Sequence, residues 1–276
     1  MFTRFYPPPP ALRGLVQALI VSHVALPDSG PMQICPYPPA AEQTLFFYPR
    51  MPMGRYRHRT GQTDMLPASL IVGPQVSRVD LTMGYDHLVV AVFFAPGGLH
   101  RLLRLPMHEL LDATIDATLI WGRTLQELNE QLGETTDYDR MHGLVEAFLL
   151  RQFDRRSLDP HPIDRAFQQM LDVRHPRSLD YLADQACLSP RQFERKCHER
   201  LGLGPKTFSR IVRFSRAFRL KEHNPAIDWL DVALRCGYYD FRHMLRDFST
   251  FAGTTPTRLL ADETQTIARP YTSARF

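Results

Sequence analysis

The chain has only four cysteines in 276 residues, Cys35, Cys187, Cys197 and Cys236, and no C-x-x-C pair. That argues against a disulfide framework and a zinc ribbon. The N-terminal histidines His23, His58, His87 and His100 include no H-x-H and no tight His/Glu cluster, so no metal is expected. No apolar run is long enough to span a bilayer, and the opening MFTRFYPPPP lacks a signal peptide's apolar core. A cytoplasmic protein without a membrane partner is the expectation. No Ser-His-Asp order, glycine-rich phosphate loop or paired carboxylate set stands out, so neither catalysis nor a cofactor is expected. Lysine is scarce too: Lys196, Lys206 and Lys221 all lie in the second part of the chain.

The length suits two domains, and 44% hydrophobic residues can fill two cores. The net charge of +4 is unevenly spread. Residues 1–160 hold 14 Lys+Arg against 16 Asp+Glu, a balance of −2, and residues 161–262 hold 17 against 12, a balance of +5. A basic second half points towards nucleic acid, with a solvated charged surface as the alternative.

The two halves also differ in pattern. QTLFFYP (43–49), SLIVG (69–73), SRVDLTM (77–83) and HLVVAVFFA (87–95) are short β-prone runs punctuated by Pro and Gly. They predict a small barrel or sandwich up to about residue 96. Helical patterns follow over 98–155: LHRLLRL, TLIWGRTLQELNEQLG (118–133) and DYDRMHGLVEAFLLRQF. In the last, Met141, Leu144, Val145, Phe148 and Leu149 form one apolar face. RRSLDPHP (155–162) is a polar linker. The expected domains are therefore 1–158, 159–262 and a tail, 263–276. RYRHR (55–59) is read as a hairpin tip, with an anion site as the alternative. Cys35 is read as a lone, partly buried thiol rather than a redox sensor.

Two helix-turn-helix patterns fill the second half. In the first, Ser178 caps a short helix with Leu179, Leu182, Ala183 and Ala186 on one face. Cys187-Leu188 turns, and Ser189-Pro190 starts a second helix that buries Phe193 and Cys197. In the second, Asp228 precedes Trp229, Val232, Ala233 and Cys236. Gly237 turns, and a helix over about 239–252 buries Met244, Phe248 and Phe251. Between them, 205–224 predicts a linker helix of about 28 Å. Successive major grooves on one face of DNA lie about 34 Å apart, so such a helix can hold two recognition helices over adjacent groove segments.

These residues resemble the DNA-binding domain of the AraC/XylS family of bacterial transcription regulators. Ser189, Phe193, Arg195, Cys197 and Gly202 follow the family pattern, then Pro205, Phe208, Arg213 and Ala217. Ala233, Gly237, Tyr238, Met244, Arg246, Phe248, Gly253 and Pro256 complete it. Cys197 departs from the usual aromatic, and Leu259-Leu260 from the usual Tyr-Arg. The resemblance implies an α+β chain: a cupin-like β-barrel followed by helices, then an all-α domain of two helix-turn-helix units. It implies a sequence-specific activator or repressor whose first half senses or dimerises.

Arg191, Glu194, Arg195, Arg242, His243 and Arg246 are the candidate base contacts, because arginine forks match guanine edges. Ser189, Lys206 and Thr255 are candidate phosphate contacts or caps. Arg195 and Arg246 have a competing structural role as internal ion-pair formers. The expected partners are double-stranded DNA, RNA polymerase, a small-molecule effector held in the β-unit, and a second copy of the chain bound through the helices after Gly98. A constitutive DNA binder, or a cupin-type enzyme fused to a DNA-binding domain, are the alternative readings.

Overall fold

The computed structural model describes residues 2–27, 32–153 and 161–264. The first half holds, among the described residues, the strands β1 (Phe2–Tyr6), β2 (Val16–Ala25), β3 (Gln33–Tyr37), β4 (Gln43–Phe47), β5 (Gly54–Arg57), β6 (Gln62–Met65), β7 (Ser69–Val72), β8 (Val79–Met83), β9 (Asp86–Phe94) and, after a first short helix, β10 (Thr114–Asp116). They form two antiparallel sheets, one in the order β1-β2-β9-β4-β7-β10 and one in the order β3-β8-β5-β6.

The expected β-rich unit is present, but it is an open pair of sheets rather than a closed barrel. No pairing joins their edges among the described residues. The edge strand β3 carries Pro36, which has no N–H to offer another strand. Ile20, Phe46, Leu70, Val89 and Phe93 of the large sheet pack on Cys35, Val79, Leu81 and Met83 of the small one.

The other face of the large sheet is covered by helices. After α1 (Gly98–Leu103) come α2 (Thr118–Glu134), which kinks at Gly122, and α3 (Tyr138–Gln152). Leu125, Leu128, Leu132, Met141, Val145, Phe148 and Leu149 lie against Leu19, Val21, Leu45, Phe47, Val90 and Val92. The apolar stripe of α3 therefore finds its cover within the chain. Coverage on both faces also explains why 87–95 is apolar without alternation: every residue of β9 from His87 to Phe94 is buried. The strands β1 and β2 went unread in the sequence, although VQALIVSHVA is a buried strand of the same uninterrupted kind.

The second half is helical: α4 (Pro162–Gln169), α5 (Leu179–Gln185), α6 (Pro190–Leu201), α7 (Pro205–His223), α8 (Trp229–Arg235), α9 (Phe241–Ala252) and α10 (Pro256–Thr264). One core joins them, centred on Phe167, Phe193, Phe208, Ile211, Phe214, Val232, Met244 and Phe248. Leu179, expected on the inner face of α5, is instead 38% exposed, because it is the first residue after the Ser178 cap and precedes the buried pair Leu182-Ala183. The expected linker lies mostly outside the described residues. So does the expected tail from residue 265 on, whereas Glu263 and Thr264 still belong to α10 and Glu263 is buried. No helix among the described residues is long and apolar enough to cross a membrane.

Candidate nucleic-acid interface

The two helix-turn-helix units are copies of one design. Ser178 and Asp228, fifty positions apart, cap the support helices through the amides of Tyr181 and Leu230. At the first turn, the N–H of Cys187 donates to Asp184 O at 2.8 Å, and that of Leu188 to Ala183 O at 2.9 Å. Fifty residues on, Gly237 donates to Leu234 O at 3.2 Å and Tyr238 to Ala233 O at 3.0 Å. Both turn residues have positive φ, 55° at Cys187 and 78° at Gly237. Glycine adopts that conformation freely; the first unit bends a cysteine into it.

One extra residue then shifts the offset to fifty-one. Arg191 falls opposite Arg242, Arg195 opposite Arg246, Gly202 opposite Gly253, and Pro205 opposite Pro256. The buried sets Phe193/Cys197 and Met244/Phe248 correspond in the same way. Burial pushes the Cys197 thiol up to about 12, so it is an inert apolar group rather than a nucleophile.

Each recognition helix thus presents the same outward pair of arginines four residues apart, on one face of the helix. Arg191, Glu194, Arg195, Arg242 and Arg246 are exposed. Among the described residues their side chains have no hydrogen bond or ion pair, so the internal ion-pair role considered for Arg195 and Arg246 is not used here. His243 is half-buried, its ring edge-on to Tyr238 at 5.4 Å. Ser189 is a cap: its Oγ accepts from Gln192 N–H at 3.3 Å, while Gln192 Oε1 accepts from Ser189 N–H at 3.0 Å. Thr255 Oγ1 likewise accepts from Arg258 N–H at 3.3 Å. Lys206 is exposed in the first turn of α7.

Behind the exposed arginines stands an anchor that the sequence reading missed. Asp247 is 1% exposed, and its Oδ1 accepts from Nε and Nη2 of Arg210 at 2.9 and 2.8 Å. The guanidinium of Arg213 lies 3.8 Å from Oδ2. Phe214 packs edge-on against Phe248, ring centroids 4.7 Å apart. The linker helix α7 therefore fixes α9 by both charge and packing. The signal in the sequence is a lone carboxylate inside the apolar stripe 244/247/248/251.

The first half grips both units. Asp164 of α4 accepts from Arg101 of α1 at 3.0 Å and from Arg200 of α6 at 3.4 Å. Arg219 of α7 pairs with Glu42 through two bonds of 3.1 and 3.2 Å. Gln43 donates to Leu201 O at 3.2 Å. Gly202 ends α6 at φ 80°, where a Cβ would stand 2.3 Å from Pro74 Cγ and 2.7 Å from Met107 O. Two sizeable cavities open on this seam among the described residues. One, about 470 Å³, is lined by Gln17, Leu171, Val212, Arg216, Arg219 and His223; the other, about 860 Å³, lies beside α9. The facing sides of the two sheets, between which an effector was expected, pack on each other, and a small cavity of about 50 Å³ lies beside Cys35, Tyr37 and Phe93.

Residues 182–262 match the family described as Helix-turn-helix domain, and residues 4–116 match a Domain of unknown function (DUF6597). No curated protein matches the chain. Among solved structures it is similar to ToxT from Vibrio cholerae O395, with 12% identity, a TM-score of 0.46, and coverage of 88% of this chain and 96% of that one. Wild-type ToxT from Vibrio cholerae strain SCE256, bound to an unsaturated fatty acid, is 10% identical over 90% of this chain and 96% of its own, with a TM-score of 0.46. A transcriptional regulator from Chromobacterium violaceum, of the AraC-type DNA-binding domain-containing proteins, is 23% identical over 38% of this chain and 93% of its own, with a TM-score of 0.34. Residues 182–262 therefore carry a helix-turn-helix domain, built as two repeated units on one linker helix.

Proposed function

We propose that this protein is an effector-responsive, sequence-specific regulator that reads two successive major-groove segments, one with α6 and one with α9. The observation that carries the reading is the equivalence of Arg191/Arg195 and Arg242/Arg246 on two recognition helices joined by a 19-residue helix. Four unpaired, exposed guanidiniums are the side chains best suited to guanine edges, and Lys206 is placed to hold the backbone between them. Response to an effector is supported by the seam. Both recognition helices end against the first half of the chain, so a ligand that favours one arrangement of the halves changes the presentation of the helices. The same proposal includes action in the cytoplasm without turnover, contact with RNA polymerase, and self-association through surfaces other than the buried stripe of α3.

Selection of bound sequences from a random library, followed by footprinting of the full chain, tests the reading. The expected outcome is one site with two protected blocks about 10 base pairs apart. A single short block, or binding without sequence preference, would overturn it in favour of a one-helix or a constitutive structural binder.

A further inference from the structure

The two recognition helices share their arginines but differ beside them. On α9 the buried side is Met244, Asp247, Phe248 and Phe251, and the exposed side carries Arg242, Arg246 and Ser249. At about 100° per residue, Phe241 and Leu245 stand together on the shoulder between those two sides. Phe241 is 36% exposed and Leu245 is half-buried, and neither belongs to the core of the helical half. Fifty-one positions back, the same shoulder of α6 is Pro190 and Glu194, both exposed.

Phe241 is the first residue of α9 and follows Asp240, whose Oδ1 caps the helix by accepting from His243 N–H at 2.6 Å. The N-terminal residues of a recognition helix are the ones that meet base edges. Tyr239, although 89% exposed, precedes the cap and lies off the helix. A phenyl ring offers no N–H or O–H donor and no lone pair to a base edge. In the major groove only thymine presents an apolar group to match it, the C5 methyl. Leu245, one turn further on, extends the apolar surface along the same line. Glu194, in the corresponding place on α6, is a carboxylate and suits the amino group of cytosine instead.

We propose that Phe241, backed by Leu245, packs on the C5 methyl of a thymine in the block held by α9, so that this block is read by a methyl group as well as by the hydrogen bonds of Arg242 and Arg246. The proposal rests on the two-helix reading above and adds a base identity to it. It also makes the two blocks unequal. The arginines are repeated from one helix to the other and the apolar shoulder is not, so the site has a direction and the chain binds it one way round.

The test uses the full chain and the site selected from the random library, with each thymine in turn replaced by deoxyuridine, which pairs as thymine does and lacks only the methyl. Competition binding should be weaker by about fourfold at one or more of these positions, the loss expected for one buried methyl group. Those positions should lie in the block where Arg242→Ala relaxes base preference. Phe241→Ala should bind the thymine and deoxyuridine sites alike, and Phe241→Leu should keep the difference. The proposal is overturned if the selected α9 block holds no thymine, or if the parent chain binds every deoxyuridine site as tightly as the unmodified one. It is also overturned if the sensitive positions lie in the other block, or if Phe241→Ala keeps the preference. Two protected blocks without a methyl preference reject this proposal alone, whereas an absent footprint rejects the two-helix reading and this proposal with it.

Discussion

The backbone N–H of Arg78 donates to the carbonyl of Phe251 at 3.0 Å, so a residue of the β-rich half caps the last turn of the second recognition helix. The side chain of Arg78 reaches Asp80 through Nε at 2.7 Å and Asp262 through Nη1 at 3.1 Å. One residue thus joins the start of β8, the end of α9 and the body of α10. The C-terminal carbonyls of a helix need partners, and here the other half of the chain supplies one.

Arg78→Ala should lower stability by about 1–3 kcal/mol, because it strips a partner from two poorly exposed carboxylates. The backbone bond to Phe251 survives the substitution. Chemical denaturation of the full chain measures the loss, and Arg78→Lys should recover only part of it, since a single ammonium cannot span both acceptors. A variant as stable as the parent would mean that water replaces the guanidinium at no cost.

Arg242→Ala should cost ~1–3 kcal/mol at one or two base positions and relax preference there, because Arg242 is exposed in the first turn of α9. Lys206→Ala should weaken all sequences alike and reduce the salt slope by about one charge. Competition binding against a panel of single-base variants, repeated at several salt concentrations, separates the two. Uniform weakening by Arg242→Ala would show that it holds phosphate and reads no base.

The helix-turn-helix half was legible because its rules are local. Cap residues at Ser178, Ser189 and Asp228, and apolar residues at helical spacing, decide each helix within a few positions. The strands at 43–49, 69–73, 77–83 and 87–95 were legible for the same reason. What escaped depends on partners distant in sequence. Closure into a barrel is decided by which edges meet, and the edge strand β3 carries Pro36 and has α10 packed beside it. The seam hinges on pairs such as Glu42–Arg219 and Arg101–Asp164, whose members lie far apart and carry no mutual signature in the chain. The exposed arginine face was readable as a face, while its anchor Asp247 looked like an interruption.

Cys187→Gly should stabilise the chain by about 0.5–1 kcal/mol. The residue is exposed and sits at φ 55°, where a side chain costs about 1–2 kcal/mol, partly offset by the greater freedom of glycine in the unfolded chain. The reciprocal change Gly237→Ala should be destabilising beyond that strain alone, since its Cβ would stand 2.6 Å from Val173 O. Urea melts of the two variants should move in opposite directions. A loss of stability in Cys187→Gly would mean that the thiol makes a packing contribution larger than the backbone strain.

The last expectation concerns acid. His87 is 2% exposed on β9, with the Tyr48 ring 5.9 Å away. Burial, with a smaller push from His23 and an opposing pull from Asp86, lowers its pKa to about 4. The unfolded chain titrates this group near pH 6.5. Between about pH 6.5 and 4 the unfolded state therefore holds a proton that the folded state refuses, and stability falls as pH falls. The contribution is fully present above pH 6.5 and is lost towards pH 4 at a slope on the order of 1 kcal/mol per pH unit. His100, His142 and His161 are lowered in the same direction, also chiefly by burial, and add to the slope. His87→Leu removes one titrating group without emptying the site, so a series of urea melts from pH 7.5 to 4.5 should show a flatter decline in the variant than in the parent chain. Parallel curves would sink the assignment, because a neutral buried imidazole must contribute to the difference.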